Sequence, residues 1–174
     1  MSEKIQRIAL IGPESTGKTT LCMQLAEHFK TVWVPEYSRE YVEQLKRPYT
    51  LADIELCTKK QLEMEDELMQ QAHHFLFADT ELILAKIWCE DVFKTCPGWI
   101  EEEITKRKYD LYLLTEYDLP FHEDPLRENP HRRDYFFNLY KSELEIRNLK
   151  FKIINGNGEQ RLKNALDAMA KHFT

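Results

Sequence analysis

The sequence of 174 residues predicts an α/β protein with a three-layer α/β/α architecture, in which helices cover both faces of a five-stranded parallel sheet. Two observations support this prediction. Short apolar or β-prone segments alternate along the chain with segments whose apolar residues recur at helical spacing. The length suits one domain with a full-sized core, and no interdomain linker, internal repeat or low-complexity segment interrupts it. Residues 1–174 are therefore predicted to form a single domain.

The first strand and the first helix flank a loop that contains two glycines. Residues 5–11 are mostly apolar, which is typical of a buried parallel strand. Residues 20–29 are predicted to be helical, because their apolar side chains recur at helical spacing. Between them, residues 12–19 read GPESTGKT and fit the phosphate-binding pattern G-x-x-x-x-G-K-[ST]. Strand, loop and helix follow in the order that this motif requires.

Each part of this phosphate-binding loop (P-loop) has a chemical purpose. Gly12 and Gly17 let the backbone turn tightly and approach a polyphosphate. The loop amides then converge on phosphate oxygens at the positive end of the following helix. Lys18 can reach the β- and γ-phosphates, and the Thr19 hydroxyl can ligate Mg²⁺. The predicted nucleotide-binding residues of the loop are Gly12, Glu14, Ser15, Thr16, Gly17, Lys18, Thr19 and Thr20. The alternative is a glycine turn that binds nothing.

The rest of the chain continues the alternation of strands and helices. Further strands are predicted at residues 31–34, 73–79, 109–115 and 151–154. Helices are predicted at residues 50–72, 80–93, 99–107, 134–148 and 159–173. Thr50 and Asp53 have the spacing of a capping box at the start of one helix. The acidic run over residues 63–67 is predicted to be a solvated face, and Trp88 and Trp99 to be packing residues.

Two acidic residues stand at the ends of predicted strands. In an open α/β sheet, ligands lie beyond the carboxyl ends of the strands, so Glu36 and Asp79 are expected to face the γ-phosphate. Glu36 would be a general base or bind the acceptor hydroxyl; alternatively, it satisfies free amides at a helix start. Asp79 would hold Mg²⁺ opposite Thr19; alternatively, it caps the next helix, and both roles are compatible.

A polar segment in the C-terminal half of the chain has the composition of a lid over the site. Residues 124–133 contain two prolines and three arginines, and the predicted lid extends over about 117–133. Its arginines would neutralise phosphate charge, with Arg127 as the preferred catalytic residue and Arg132 as a nucleotide contact. The alternative is a solvated surface loop. Asn157 is predicted to contact the nucleotide base from the turn at residues 155–158, unless that turn is a plain connection.

Composition and charge limit the classes of partner and the cellular locations that remain compatible with the sequence. The net charge of −6 argues against a nucleic acid partner. The four cysteines form no C-x-x-C pair or zinc pattern, which favours reduced thiols in a cytoplasmic protein. No apolar run is long enough to span a membrane, and the N-terminus lacks the apolar region of a signal peptide. The sequence leaves the oligomeric state open.

Three segments behind the P-loop together carry a family resemblance. These are PEYSREYV at residues 35–42, FADTE at residues 77–81 and EDPLR at residues 123–127. In that order they resemble the kinase domain of the NadR family, the ribosylnicotinamide kinases of NAD salvage, and the resemblance covers about residues 5–172.

The resemblance implies an activity and the residues that contribute to it. It implies ATP- and Mg²⁺-dependent transfer of phosphate to the 5′-hydroxyl of nicotinamide riboside, giving nicotinamide mononucleotide. It places Lys18 and Thr19 on the nucleotide and metal, and Glu36, Tyr37 and Arg39 along the acceptor pocket. It also places Asp79 at the reacting centre and Arg127 in the lid. Glu36 and Asp79 both remain candidates for the base.

The sequence also departs from the family pattern. Pro35 stands where some members have Trp, Glu81 where members often have Asp, and Pro125 where many lids have Gly. These changes bear on the acceptor and not on the phosphate chemistry. The alternatives are a kinase for another nucleoside and a regulatory NTPase, although the guanine motif N-K-x-D and the signature L-S-G-G-Q are missing. The family's frequent partner modules, an adenylyltransferase and a helix-turn-helix, are missing too, so the kinase step alone is expected.

Overall fold

A computed structural model of the chain describes residues 4–174. Five strands of this described part form one sheet in the order β2-β3-β1-β4-β5, and every pairing between them is parallel. The strands are β1 (Gln6–Ile11), β2 (Trp33–Val34), β3 (Phe75–Asp79), β4 (Leu111–Thr115) and β5 (Phe151–Ile154). The predicted five-stranded parallel sheet is confirmed.

Within residues 4–174, seven helices connect and cover the strands. They are α1 (Lys18–His28), α2 (Tyr37–Gln44), α3 (Leu51–Met69), α4 (Leu82–Phe93), α5 (Gly98–Lys106), α6 (Arg133–Ile146) and α7 (Glu159–Phe173). None of the helices in the described part of the chain combines the length and apolar content that crossing a lipid bilayer would need.

The sheet separates two apolar cores. Ala9 and Ile11 of β1 point to the core that contains buried residues of α3, α4, α5 and α6. Ile8 and Leu10 point to the opposite core, which contains buried residues of α1 and α7. Because side chains alternate along a strand and both faces are covered, the central strands read as continuous apolar runs. The predicted three-layer α/β/α architecture is confirmed.

The strand order brings the predicted site segments to one edge of the sheet. Leu10 near the end of β1 is paired with Asp79 of β3, and Ile11 is paired with Leu114 of β4. The loop after β1, the carboxylate that ends β3 and residues 116–132 after β4 are therefore neighbours. This is the carboxyl edge, where open α/β sheets bind ligands.

Helix starts follow from side-chain caps. The predicted capping box of α3 is present, since the Thr50 hydroxyl accepts the Asp53 N–H and the Asp53 carboxylate accepts the Thr50 N–H. α4 begins two residues later than predicted, because the Glu81 carboxylate accepts the Ile83 N–H at 2.9 Å. Asp79 is therefore not the cap of α4, and its alternative role as a cap is excluded.

The acidic run of α3 is not the uniformly solvated face that the sequence predicted. Glu65 is buried, and its carboxylate accepts the Tyr109 hydroxyl at 2.5 Å and lies 3.4 Å from the Arg7 guanidinium. Glu63 and Asp66 are exposed, as expected, and pair with surface cations. The prediction was wrong at Glu65 because α3 turns this position toward Tyr109 and the sheet.

Candidate active site

The P-loop is held in shape by β4. The Thr16 hydroxyl donates to the Pro13 carbonyl at 2.8 Å and lies 2.7 Å from the Thr115 hydroxyl. Gly12 has φ +152°, and a Cβ there would lie 2.4 Å from Thr115 Oγ1. Gly17 has φ +74° and immediately precedes α1. The loop therefore needs both glycines, one for close packing on β4 and both for backbone conformations that favour glycine.

Lys18 is the first residue of α1, and its ammonium group turns back onto the loop. It donates to the Gly12 carbonyl at 2.9 Å and to the Pro13 carbonyl at 2.7 Å. Burial lowers the pKa of Lys18, while the nearby carboxylates of Asp79 and Glu36 oppose that shift. The lysine is thus a desolvated charge placed between the loop and two acids, which is the position required to neutralise a phosphate.

Thr19 and Asp79 meet across the site. The Thr19 hydroxyl donates to Asp79 Oδ2 at 2.5 Å, and Asp79 Oδ1 is buried without a hydrogen-bond partner among the described residues. Burial raises the pKa of Asp79, and the Thr19 hydrogen bond and Lys18 counter this. No group of three or more His, Cys, Asp or Glu side chains within residues 4–174 is arranged to hold a metal ion. Mg²⁺ at nucleotides is commonly bound by one or two carboxylates plus phosphates, so this oxygen pair fits it.

Glu36 occupies the N-cap position of α2, yet its side chain makes no capping hydrogen bond. Instead, its carboxylate accepts the Ser38 hydroxyl at 3.0 Å. Burial raises the pKa of Glu36, and the charge of Asp79 raises it further. The side chain is therefore available to the site, and its pKa is shifted in the direction expected for a general base that works near neutral pH.

A cavity of about 280 Å³ joins the P-loop to a cleft between α2, α4 and α6. Glu36, Ser38 and Arg39 line one side of it. Tyr49 and Trp88 also line it, with their rings edge to face at 5.1 Å and the Trp88 indole N–H donating to the Tyr49 hydroxyl at 3.1 Å. The cleft thus combines acidic and aromatic walls, as small-molecule sites with a few oriented polar groups do.

The lid segment (117–133) contacts the P-loop at several points. Arg127 donates to Ser15 Oγ at 3.1 Å, and the Glu14 carboxylate accepts the backbone N–H groups of Glu128 at 3.4 Å and Asn129 at 3.2 Å. Arg133 donates to the Ser15 carbonyl at 3.3 Å and therefore also reaches the loop. In this arrangement Arg127 lies beside the loop, where its charge can act on a bound phosphate.

Not every predicted residue lines the cavity. Tyr37 stacks on Tyr41, and the rings are 6.2 Å apart. Arg132 is engaged by the Asp91 carboxylate at 2.6 Å and covers aromatic rings of α6. Asn157 is exposed in the turn after β5. Nucleotide contacts by Arg132 and Asn157 and an acceptor contact by Tyr37 stay predictions, whereas Gly12, Glu14–Thr20, Glu36, Arg39, Asp79 and Arg127 lie at the site.

Several site residues carried no sequence signal of their own. Asp91 and Tyr140 line the cleft from α4 and α6, and Thr115 tethers the P-loop. Trp88 packs against the core, as predicted, and it also lines the cleft. A helical plot of α4 could have found Trp88 and Asp91, because positions three residues apart share one face.

Comparison with known proteins identifies the family of the chain. A family model described as an AAA domain matches residues 7–161. The trifunctional NAD biosynthesis/regulator protein NadR of Escherichia coli (strain K12) is 27% identical over 155 residues, which are 84% of this chain and 37% of that protein. NadR of Salmonella typhimurium is 26% identical over the same shares. The chain therefore spans well under half the length of these curated relatives, and the resemblance to NadR is confirmed.

Solved structures share the fold. NadR in complex with NR superposes with a TM-score of 0.83 at 22% identity, covering 97% of this chain and 50% of that one. Thymidylate kinase from Candida albicans gives a TM-score of 0.71 at 14% identity, covering 99% and 94% of the two chains. With a P-loop before α1, a parallel sheet and a family model that spans most of its length, the chain belongs to this family of AAA domains.

Proposed function

We propose that this chain transfers the γ-phosphate of ATP to the 5′-hydroxyl of nicotinamide riboside, giving nicotinamide mononucleotide. The observation that carries the proposal is the convergence of Lys18, Glu36 and Asp79 where the P-loop opens into the acidic and aromatic cleft. The NadR relatives, which are described as NAD biosynthesis proteins, support it. Residues 1–174 act as one domain in the cytoplasm, and the lid segment closes over the nucleotide.

Transfer of the phosphoryl group depends on position and charge. The loop amides and Lys18 hold the β- and γ-phosphates, and Arg127 neutralises charge that develops on the transferred group. Thr19 and Asp79 would hold Mg²⁺, which supplies positive charge to the phosphate oxygens. Glu36 stands on the acceptor side and orients the hydroxyl or takes its proton, because its raised pKa makes it a stronger base than an exposed glutamate.

The acceptor cleft favours a nucleoside whose base is a cation. Nicotinamide riboside carries a positively charged pyridinium ring, which aromatic faces and carboxylates both attract. Tyr49 and Trp88 provide the faces, and Asp91 adds a carboxylate to the same wall. Asp91 is also paired with Arg132, so the aromatic pair is the stronger part of this argument.

Two other functions are compatible with the fold. The likeness to thymidylate kinase, and to deoxyadenosine kinase from M. mycoides with a TM-score of 0.59, keeps a kinase for another nucleoside as the second candidate. A regulatory NTPase would need no acceptor cleft. The cavity extends beyond the P-loop into a cleft lined by Glu36, Tyr49 and Trp88, and this extension favours a kinase.

An ADP-release assay with Mg²⁺ and a panel of nucleosides tests the proposal. We expect nicotinamide riboside to stimulate ADP release far more than deoxynucleosides do. The Lys18→Ala variant should lose the activity by a factor of 10² or more, on the order of what one preorganised charge contributes. Stimulation by a deoxynucleoside alone would establish the second candidate. Equal ADP release with and without every acceptor would refute the kinase.

A further inference from the structure

The turn that carries Arg127 is built on one residue, Asp124. Its Oδ1 accepts the Leu126 N–H at 3.0 Å, and its backbone carbonyl accepts the Arg127 N–H at 2.9 Å. From this turn the Arg127 guanidinium donates to the His122 carbonyl at 2.7 Å as well as to Ser15 Oγ at 3.1 Å. The position of the guanidinium beside the P-loop therefore depends on the conformation that Asp124 fixes.

The other carboxylate oxygen of Asp124 connects this turn to the acceptor cleft. The Arg39 guanidinium donates to Asp124 Oδ2 and forms an ion pair with it. Arg39 belongs to α2, the helix that Glu36 precedes, and both residues line the cleft. The Asp124 side chain is 18% exposed and that of Arg39 44%, so the carboxylate is the more enclosed partner. One ion pair thus joins the wall of the cleft to the turn that carries Arg127.

The opposite end of the turn is held by the P-loop. Glu14 of the P-loop accepts the N–H groups of Glu128 and Asn129 through its two carboxylate oxygens. Arg127 is therefore held on its C-terminal side by the P-loop and on its N-terminal side by α2 through Asp124. The first contact belongs to the nucleotide side of the site, and the second belongs to the acceptor side.

We infer that Asp124 is a positioning residue, which through Arg39 couples occupation of the acceptor cleft to the placement of Arg127 beside the P-loop. The inference extends the proposed function and rests on it for the identity of the acceptor. Such coupling is reciprocal: the nucleotide must strengthen acceptor binding by the same factor as the acceptor strengthens nucleotide binding. For an ion pair that is partly exposed, the factor should reach about fivefold at most.

Asp124→Asn is the informative variant, because asparagine keeps an Oδ1 acceptor for the Leu126 N–H and replaces Oδ2, which accepts from Arg39, by an uncharged NH2 donor. Glu123→Gln is its matched control. Glu123 lies in the same segment and has no hydrogen bond or ion pair with another described residue. Both variants remove one negative charge from the lid segment, so a difference between them reports the contact with Arg39.

Hydrogen exchange of the full-length chain with a non-hydrolysable ATP analogue tests the inference without an acceptor. We expect the Glu128 and Asn129 amides to exchange up to about fivefold faster in Asp124→Asn than in the wild type, and unchanged in Glu123→Gln. Equal exchange in Asp124→Asn and the wild type would overturn the inference. Faster exchange in both variants would overturn it as well, because the effect would then follow net charge.

Calorimetry supplies the second arm of the test. The Kd of nicotinamide riboside is measured with and without the ATP analogue, and the ratio of the two values is the coupling factor. We expect a ratio of several-fold in the wild type and in Glu123→Gln, and a ratio near one in Asp124→Asn. An undiminished ratio in Asp124→Asn refutes the inference. Absence of nicotinamide riboside binding to the wild type refutes the proposed acceptor instead, and the exchange experiment still decides the role of Asp124.

Discussion

Replacing Gly12 by alanine tests whether the P-loop is built against β4 as the structure shows. The new Cβ would lie 2.4 Å from Thr115 Oγ1 and 2.8 Å from the Thr115 carbonyl oxygen. The hydroxyl could rotate away, but the carbonyl belongs to β4, an interior strand of the sheet, and cannot move without disturbing the sheet. The backbone at Gly12, with φ +152°, also lies in a region that side chains other than glycine rarely adopt.

Both effects destabilise the folded state and they add. Overpacking against fixed atoms typically costs about 1–3 kcal/mol, and an unfavourable positive φ about 1–2 kcal/mol. The free energy of unfolding should therefore fall by roughly 2–5 kcal/mol in Gly12→Ala. For a chain of 174 residues, each kcal/mol lowers Tm by about 2–4 °C, so Tm should fall by at least several degrees. Thermal unfolding followed by circular dichroism measures this directly.

Gly98→Ala is the control for the same substitution at a site without either constraint. Gly98 begins α5, and a Cβ there meets no atom within 4 Å. Alanine should leave Tm unchanged or raise it slightly, since it has the higher helix propensity. If Gly12→Ala melted at the wild-type temperature, the close packing of the P-loop on Thr115 would be wrong.

Two further predictions concern the acceptor side. Ser38→Ala removes a hydrogen bond that lowers the pKa of Glu36, so this pKa should be higher in the variant. If Glu36 is the base, the decrease of kcat/KM toward acidic pH should therefore begin at a higher pH than in the wild type. An unshifted profile would exclude Glu36 as the group that titrates. Trp88→Ala should raise the KM for nicotinamide riboside about fivefold or more and leave the KM for ATP nearly unchanged, because a stacked ring contributes about 1–3 kcal/mol. Equal increases in both KM values would indicate a general disturbance of α4 and would contradict a specific contact between Trp88 and the acceptor.

The sheet and the nucleotide loop could be predicted from the sequence because their constraints are local. β1, β3 and β4 are covered on both faces, so burial alone requires continuous apolar runs there. The P-loop motif encodes its own geometry, since Gly12 and Gly17 occupy positions that only glycine tolerates easily. These elements needed no knowledge of what packs against them.

Side-chain direction could not be predicted in the same way, because it depends on where a helix begins and what it packs against. Arg132 and Arg133 are adjacent and chemically equal in the sequence. Because α6 begins at Arg133, the two side chains point in different directions. Arg132 donates to the Asp91 carboxylate, whereas Arg133 donates to the Ser15 carbonyl. Glu65 gives the same lesson, since only its position opposite Tyr109 distinguishes it from its exposed neighbours.

An acidic site that is proposed to bind a polyphosphate needs a physical explanation, and the structure offers one in the partners of each carboxylate. Glu14 accepts two backbone N–H groups of the lid segment, so its charge is directed to that segment. Asp79 accepts the Thr19 hydroxyl and leaves Oδ1 without a partner among the described residues; a cation held there, as proposed, would convert a repulsive charge into an attractive one. Burial raises the pKa of Glu36, which suits the proposed role as a base for the acceptor. In the proposed complex, the loop amides, Lys18 and Arg127 would supply the positive potential for the phosphates.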